Sequence, residues 1–392
     1  MPAPTPFNKV MPLPEAVRRF VRPGMTLHVE TGPRAAINEI ARQFWDKEPG
    51  FTLVMLRLGG GHAGHLVLGG LVKKIIGSSY VDNYPTPAPM RVVQAAYKER
   101  KIELETWSLL SLIQRFIAGA QGLPFMPTKS LLSTSFEEEN KHAFQVVDDV
   151  FRTGERVGVV RALNPDLSLV HGVAADPEGN VISFPPSEES FWGAKASRGV
   201  VVTVEKVIST EKVREYAHLV KLAPHNVVAV CPAPFGAHPG RLVSRRFPLV
   251  PGYYEDEEFQ REHRRASRDP KAYLEWVHKW VLDIPDHKVY LKQLGTERLT
   301  ALRARAKEKP VTFEEVFSNV PDGPPGPYTE TELMVVVAAR MMIERATAEN
   351  YTFILAGAGP SDIASSLAYY TLRQQGRDIR LILGTGMYNY IP

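Results

Sequence analysis

One cysteine, Cys231, stands in a chain of 392 residues. A lone thiol excludes an intramolecular disulfide and any metal site built from several cysteines, and it suits a reducing compartment. The sequence also lacks any run approaching the roughly 18 apolar residues that a membrane-spanning helix needs. The opening Met1-Pro2-Ala3-Pro4-Thr5-Pro6 is not followed by an apolar stretch of signal-peptide length. A cytoplasmic protein with no membrane partner is expected. An excess of one charge is missing as well, since 47 Lys and Arg face 43 Asp and Glu for a net +4. The densest basic run, Arg261-Glu262-His263-Arg264-Arg265, reads as the solvated face of a helix, so no nucleic-acid partner is expected.

What is present is an ordinary globular composition, 44% apolar and 23% charged. The length exceeds one ordinary core, and at about 150 residues per domain it predicts two or three units. Strand and helix patterns alternate along most of it. LPEAVRRFV from residue 13 has helical spacing, Arg22-Pro23-Gly24 is a turn, and TLHVE is a short strand. AAINEIARQFW is again helical and FTLVMLRLGG a buried strand; a helix is predicted around His65 to Lys74, then a strand at SSYVD. DLSLVHGVAA, GVVVTVEKVI and HNVVAVCPAP read as further strands, and Glu255 to Trp280 as a long polar helical region. This order predicts an α/β fold: an open, mostly parallel sheet with helices on both faces and ligands approaching the carboxyl ends of the strands.

Residues 321–327, Pro321-Asp322-Gly323-Pro324-Pro325-Gly326-Pro327, form neither helix nor central strand, because proline fixes φ and lacks an amide donor. They divide a first domain, 1–320, from a segment 328–392 that reads as one βαβ unit: a helix capped at Thr329, the strand YTFILAG, the helix SDIASSLAYYTLRQQG and the strand IRLILG. A unit this small is a partial second α/β layer that needs neighbours, so an oligomer or a partner chain is expected.

Several local patterns carry candidate chemistry. The glycines of Leu58-Gly59-Gly60-Gly61-His62-Ala63-Gly64-His65 would let backbone amides approach an anion, Gly60 and Gly61 above all; the alternative is a plain strand-to-helix turn. His62 and His65 share a helical face, but no third ligand is near in sequence and no metal site is expected. Gly357-Ala358-Gly359-Pro360 sits between strand and helix, where Gly357 and Gly359 amides would suit an oxyanion or equally form turn geometry. His238, in Phe235-Gly236-Ala237-His238-Pro239-Gly240, is a candidate ligand contact or a loop histidine satisfied by backbone. In KIELETWS, alternation puts Glu103 and Glu105 on one face and Ile102 and Leu104 on the other, a solvated strand face or a carboxylate facing a cleft.

Four longer segments, GLPFMPTKS at 122–130, NPDLSLVHGVAADPEGNV at 164–181, VVAVCPAPFGAHPGRL at 227–242 and EWVHKWVLDIPDHKVYLKQLGTERL at 275–299, together resemble the α subunit of class I CoA-transferases, in particular the glutaconate type. The resemblance spans about residues 10–300. Beyond the linker, YTETELMVVVAARMM, FILAGAGPSDIASSLA and LILGTGMYNYIP resemble the opening of that family's β subunit. The resemblance implies α and β halves facing each other across an acyl-CoA site, with a β-side glutamate in a Glu-Ser-Gly-like motif attacking the thioester. At that position this chain has Gly384, followed by Thr385 and Gly386; Gly357, Gly359, Gly384 and Gly386 are then the expected oxyanion and substrate-binding turn.

Three functions remain open at this point. A β-like partner chain supplies the glutamate and CoA transfer survives; or the chain belongs to a hydrolase, decarboxylase or C–C bond-cleaving variant in which Glu105 activates water; or it is a non-catalytic CoA-binding partner. In each, a CoA thioester enters as substrate or ligand, and no metal or redox cofactor is implied.

Overall fold

The computed structural model describes residues 8–29, 32–58, 63–82, 88–184, 191–244, 247–307, 354–357 and 380–383. The chain divides into two units, Met1–Glu308 and Lys309–Pro392. In the first unit the strands are, in order, β1 (Thr26–Val29), β2 (Phe51–Leu58), β3 (Val72–Asp82), β4 (Ala88–Pro89), β5 (Glu103–Thr106), β6 (Phe125–Thr128), β7 (Phe144–Asp148), β8 (Arg156–Arg161), β9 (Leu167–Ala175), β10 (Val181–Ile182), β11 (Val200–Val207), β12 (Val220–Leu222) and β13 (Val227–Pro232).

A parallel spine runs β13-β11-β9-β1-β2-β3-β5. Short antiparallel strands extend it, β10 and β12 beside the end of β9 and β4 beside the end of β3. Central parallel strands are covered on both faces, which is why β9 reads LSLVHGVAA and is buried at every position. On β2 the two faces separate by alternation: Leu53 and Met55 join one core with Ile37, Ile40, Trp276 and Trp280, while Val54 joins another with Leu112, Phe116 and Trp107. Helices Leu13–Phe20 and Arg34–Phe44 belong to the first layer and helix Leu109–Ala120 to the second. The expected α/β architecture is therefore the one present.

The chain departs from its sequence reading in three places. The helix expected from His65 to Lys74 is only Gly64–Leu68, and β3 starts at Val72. Gly69 and Gly70 cause the break: a Cβ on Gly69 would lie 2.4 Å from the Trp45 ring, and Gly70 takes φ +69°, so the backbone turns where no larger residue fits. The long helical region after residue 255 is split at Asp269-Pro270 into Glu257–Ala266 and Pro270–Val277, with Asp269 accepting from Ala272 N to cap the second helix. A three-stranded antiparallel sheet, β6-β8-β7, is also present; the alternating pattern of the parallel sheet gave no sign of it.

In the second unit two strands are described, β14 (Ile354–Gly357) and β15 (Arg380–Leu383), paired in parallel from Ile354↔Arg380 to Gly357↔Leu383. The expected linker at 321–327 lies outside the described residues.

Candidate functional site around Glu105

Strand β5 is the outer parallel strand, with Lys74↔Glu103 and Ile76↔Glu105 in register against β3. Ile102 is buried, and Leu104 packs against the core of the first layer. Glu103 and Glu105 project from the opposite face with Lys74 between them, its Nζ 2.8 Å from Glu103 Oε1 and 2.7 Å from Glu105 Oε2. Opposite charges on neighbouring strands at this spacing stabilise the pairing.

After Thr106 the chain turns directly into helix Leu109–Ala120. Ser108 caps it, its hydroxyl oxygen accepting from Ser111 N at 3.1 Å. The tight turn returns two side chains to Glu105: Trp107 Nε1 donates to Oε1 at 2.7 Å, and Arg115 Nη1 donates to the same oxygen at 2.9 Å. The Arg115 guanidinium lies 4.3 Å from the Trp107 ring centroid, and its Nε donates to the Arg161 carbonyl. From the other side, the buried Asn140 donates to Thr106 O at 2.9 Å, anchoring the turn that carries His142. His142 Nε2 lies 3.2 Å from Glu105 Oε2, with the imidazole edge-on to Trp107.

Glu105 is thus 7% exposed and faces four positive or N–H groups. Burial alone would raise its pKa; the bonds from Lys74 and Trp107 and the charge of Arg115 outweigh burial and hold the carboxyl at about 2. It is an ionised carboxylate at neutral pH. Burial lowers the Lys74 pKa, but the two glutamates outweigh it and the net direction is upward. The group opens on a cleft of about 520 Å³ lined by Tyr80, Tyr97, Asn140 and His142 among others. In this cleft His142 is half-exposed, with 51% of its side chain accessible.

Other sequence candidates fall elsewhere. His238 is buried, with Nδ1 2.6 Å from Tyr290 Oη and Nε2 2.9 Å from Asp256 Oδ2, so both ring nitrogens are used inside the protein. His65 is also buried, and burial drives its pKa well below the ordinary histidine value. Among the described residues no cluster of three or more His, Cys, Asp or Glu is placed to hold a metal ion. Cys231 is buried and its thiol is pushed up to about 12 by burial, which makes it inert. Gly357 closes β14, while Gly60, Gly61, His62, Gly359, Gly384 and Gly386 lie outside the described residues. Among the described residues no helix is long and apolar enough to cross a membrane.

The reading of sequence alone missed Lys74, Trp107, Arg115 and His142. Trp107 had a usable signal, because an aromatic N–H donor two positions along a strand from a carboxylate shares its face. The other three converge only through strand register, the return of a helix and a distant turn.

Similarity to known proteins matches this architecture. The family described as Coenzyme A transferase matches residues 10–229. A glutaconate CoA-transferase subunit of Acidaminococcus fermentans is 28% identical over 322 residues, 76% of this chain and 95% of that one. The crystal structure of glutaconate CoA-transferase from the same organism superposes with a TM-score of 0.66 at 27% identity, covering 75% of this chain and 95% of that chain. A 3-oxoadipate CoA-transferase subunit of Pseudomonas knackmussii is 26% identical, covering 73% and 98%. The decarboxylase AibA/AibB shares the fold, with a TM-score of 0.58 at 24% identity over 70% of this chain and 98% of that one. By the extent of the family match and the shared sheet, this chain belongs to the coenzyme A transferase family.

Proposed function

We propose that this chain is one subunit of an acyl-CoA-processing enzyme that transfers CoA between carboxylic acids, with the attacking glutamate supplied by a β-like partner chain. The observation that carries this reading is the match over 95% of a protein named as one subunit of a CoA-transferase. The geometry of Glu105 supports the need for a partner: a nucleophilic carboxylate must reach a thioester carbonyl, and this one is clasped by Lys74, Trp107 and Arg115. Gly384, at the position where the family resemblance expects the nucleophile, has no side chain to attack with. Incubating the purified assembly with glutaconyl-CoA and trapping with borohydride is expected to modify a glutamate on a second chain. Turnover with no trapped glutamate on any chain would count against covalent transfer.

A second reading is chemistry on a CoA thioester that needs no attacking glutamate: water-dependent hydrolysis, or else decarboxylation or C–C cleavage. The observation favouring it is the cleft itself, where an ionised carboxylate stands beside a half-exposed imidazole. Glu105→Gln is then expected to abolish turnover while leaving CoA affinity nearly intact. Full activity in that variant removes Glu105 from the chemistry. Should no assembly turn over any acyl-CoA, the chain acts as a CoA-binding partner without catalysis. In all of these readings CoA enters as part of the substrate or ligand, and no cofactor is required.

A further inference from the structure

We propose that His142 is the proton-carrying group of the Glu105 cleft and that Glu105 is its positioning residue. This inference rests on the water-dependent reading of the site and names the residue that reading needs.

A general base must have a free lone pair and a proton affinity near the working pH. Glu105 has neither. Trp107 Nε1 and Arg115 Nη1 bond Oε1, while Lys74 Nζ and His142 Nε2 lie against Oε2, so both oxygens are engaged. Lys74, Trp107 and Arg115 outweigh burial and hold its carboxyl at about 2, far below neutrality. Imidazole, by contrast, is the side chain whose charge changes nearest neutral pH. The His142 Nε2 faces the carboxylate, which favours the tautomer with the proton on Nε2 and leaves the Nδ1 lone pair bare. Among the described residues no protein group bonds that second nitrogen, and half of the side chain is open to the cleft. The orientation is built in, because Asn140 ties this turn to the Thr106 carbonyl at the end of β5 and Trp107 meets the imidazole edge-on.

The step follows with its atoms balanced. Water in the cleft adds its oxygen to the thioester carbonyl carbon as Nδ1 takes one of its protons; the Nε2 proton stays against Glu105, whose charge stabilises the imidazolium. The tetrahedral adduct then breaks its C–S bond, and Nδ1–H returns the proton to the departing sulfur. Carboxylic acid and CoA thiol leave, and the imidazole is neutral again. The other ionisable groups around this imidazole are Lys74 and Tyr80 on β3, Tyr97 on the helix Arg91–Lys98, Glu103 beside Glu105 on β5, Arg115 on the helix behind and Glu139 on the preceding turn.

Two measurements on the full chain in its purified assembly test this. In the first, ¹⁵N-histidine long-range spectra followed between about pH 5 and 8.5, assigned with His142→Gln, read the tautomer directly. The neutral ring is expected to carry its proton on Nε2 in the wild type and to lose that bias in Glu105→Gln. An imidazole signal indifferent to Glu105→Gln overturns the positioning role. In the second, thiol release from glutaconyl-CoA and 3-oxoadipyl-CoA is expected to fall by about a hundredfold or more in kcat in His142→Gln, with KM little changed. Wild-type rates in His142→Gln overturn the proton role. If the wild type releases no thiol from either thioester, the water-dependent reading falls and the proton role with it, while the spectra still decide the Glu105–His142 geometry; the two failures are thus told apart.

Discussion

Among the described residues, buried carboxylates pair with histidine in two ways, one sealed and one open. In the sealed kind, Asp256 accepts from His238 and, in bidentate fashion, from Arg298, at 2.5 Å to Nε and 2.9 Å to Nη2, while His238 also meets Tyr290. Asp256 additionally caps helix Glu257–Ala266 through Phe259 N. Glu205 and His171 repeat the pattern: Thr203 takes the second histidine nitrogen, and Phe235 N bonds the second carboxylate oxygen. Every polar atom of these groups finds a protein partner, so their work is to bind the loop 233–240 and the C-terminal helices to the sheet. The Glu105 pair has an equally buried carboxylate, but its histidine is half-exposed and keeps one nitrogen for the cleft. The difference lies in the imidazole, which is sealed in the first kind and open to the cleft in the second.

Breaking the sealed side should cost the most stability. Asp256→Ala removes the helix cap and strands both the Arg298 charge and a buried His238, and chemical denaturation is expected to show a loss of about 3–5 kcal/mol. A loss below about 1 kcal/mol would erase the distinction from surface ion pairs.

The next effect is on acid stability. The Glu105 carboxyl is held at about 2 against an ordinary 4.5, so its contribution is complete above about pH 4.5 and disappears as pH falls through about 2. The linked free energy is of order 3 kcal/mol. Glu105→Gln should therefore lack this part of the acid-unfolding curve while sharing the rest, which includes the similarly depressed Asp256. Identical acid profiles for wild type and variant would show that Lys74 and Arg115 do not hold the carboxylate ionised.

Glu205→Gln is expected to cost about 1–3 kcal/mol, because the shape is kept while the buried Phe235 N and His171 lose a charged acceptor. Smallest of all should be His142→Gln, within about 0.5 kcal/mol of wild type, as for a partly exposed substitution away from the core. Near-neutral stability together with a large kinetic loss would place this histidine on the functional side of the comparison; a stability loss as large as that of Asp256→Ala would make it a second structural clasp.

Much of the fold was legible in the sequence because parallel strands covered on both faces must be apolar throughout, and LSLVHGVAA and GVVVTVEKVI are written that way. Period-two alternation likewise placed Glu103 and Glu105 together and away from Ile102 and Leu104. The helix misread across Gly69-Gly70 shows the limit: the requirement for glycine comes from the Trp45 ring, which only packing brings there. His238 shows it again, since sequence left it as a ligand contact or a loop histidine satisfied by backbone, and the partners on its two nitrogens are instead the side chains of Tyr290 and Asp256.

The sequence by itself determined the α/β class, the strand carrying Glu105 and the face from which that carboxylate projects, because all three follow from local periodicity along the chain. Only the tertiary structure decided what Glu105 is. Lys74 arrives through parallel register, Arg115 through the return of a helix and His142 through a turn tied down by Asn140. The protonation state of a carboxylate depends on charges within a few ångströms of it, and those neighbours are set by folding rather than by position in the sequence.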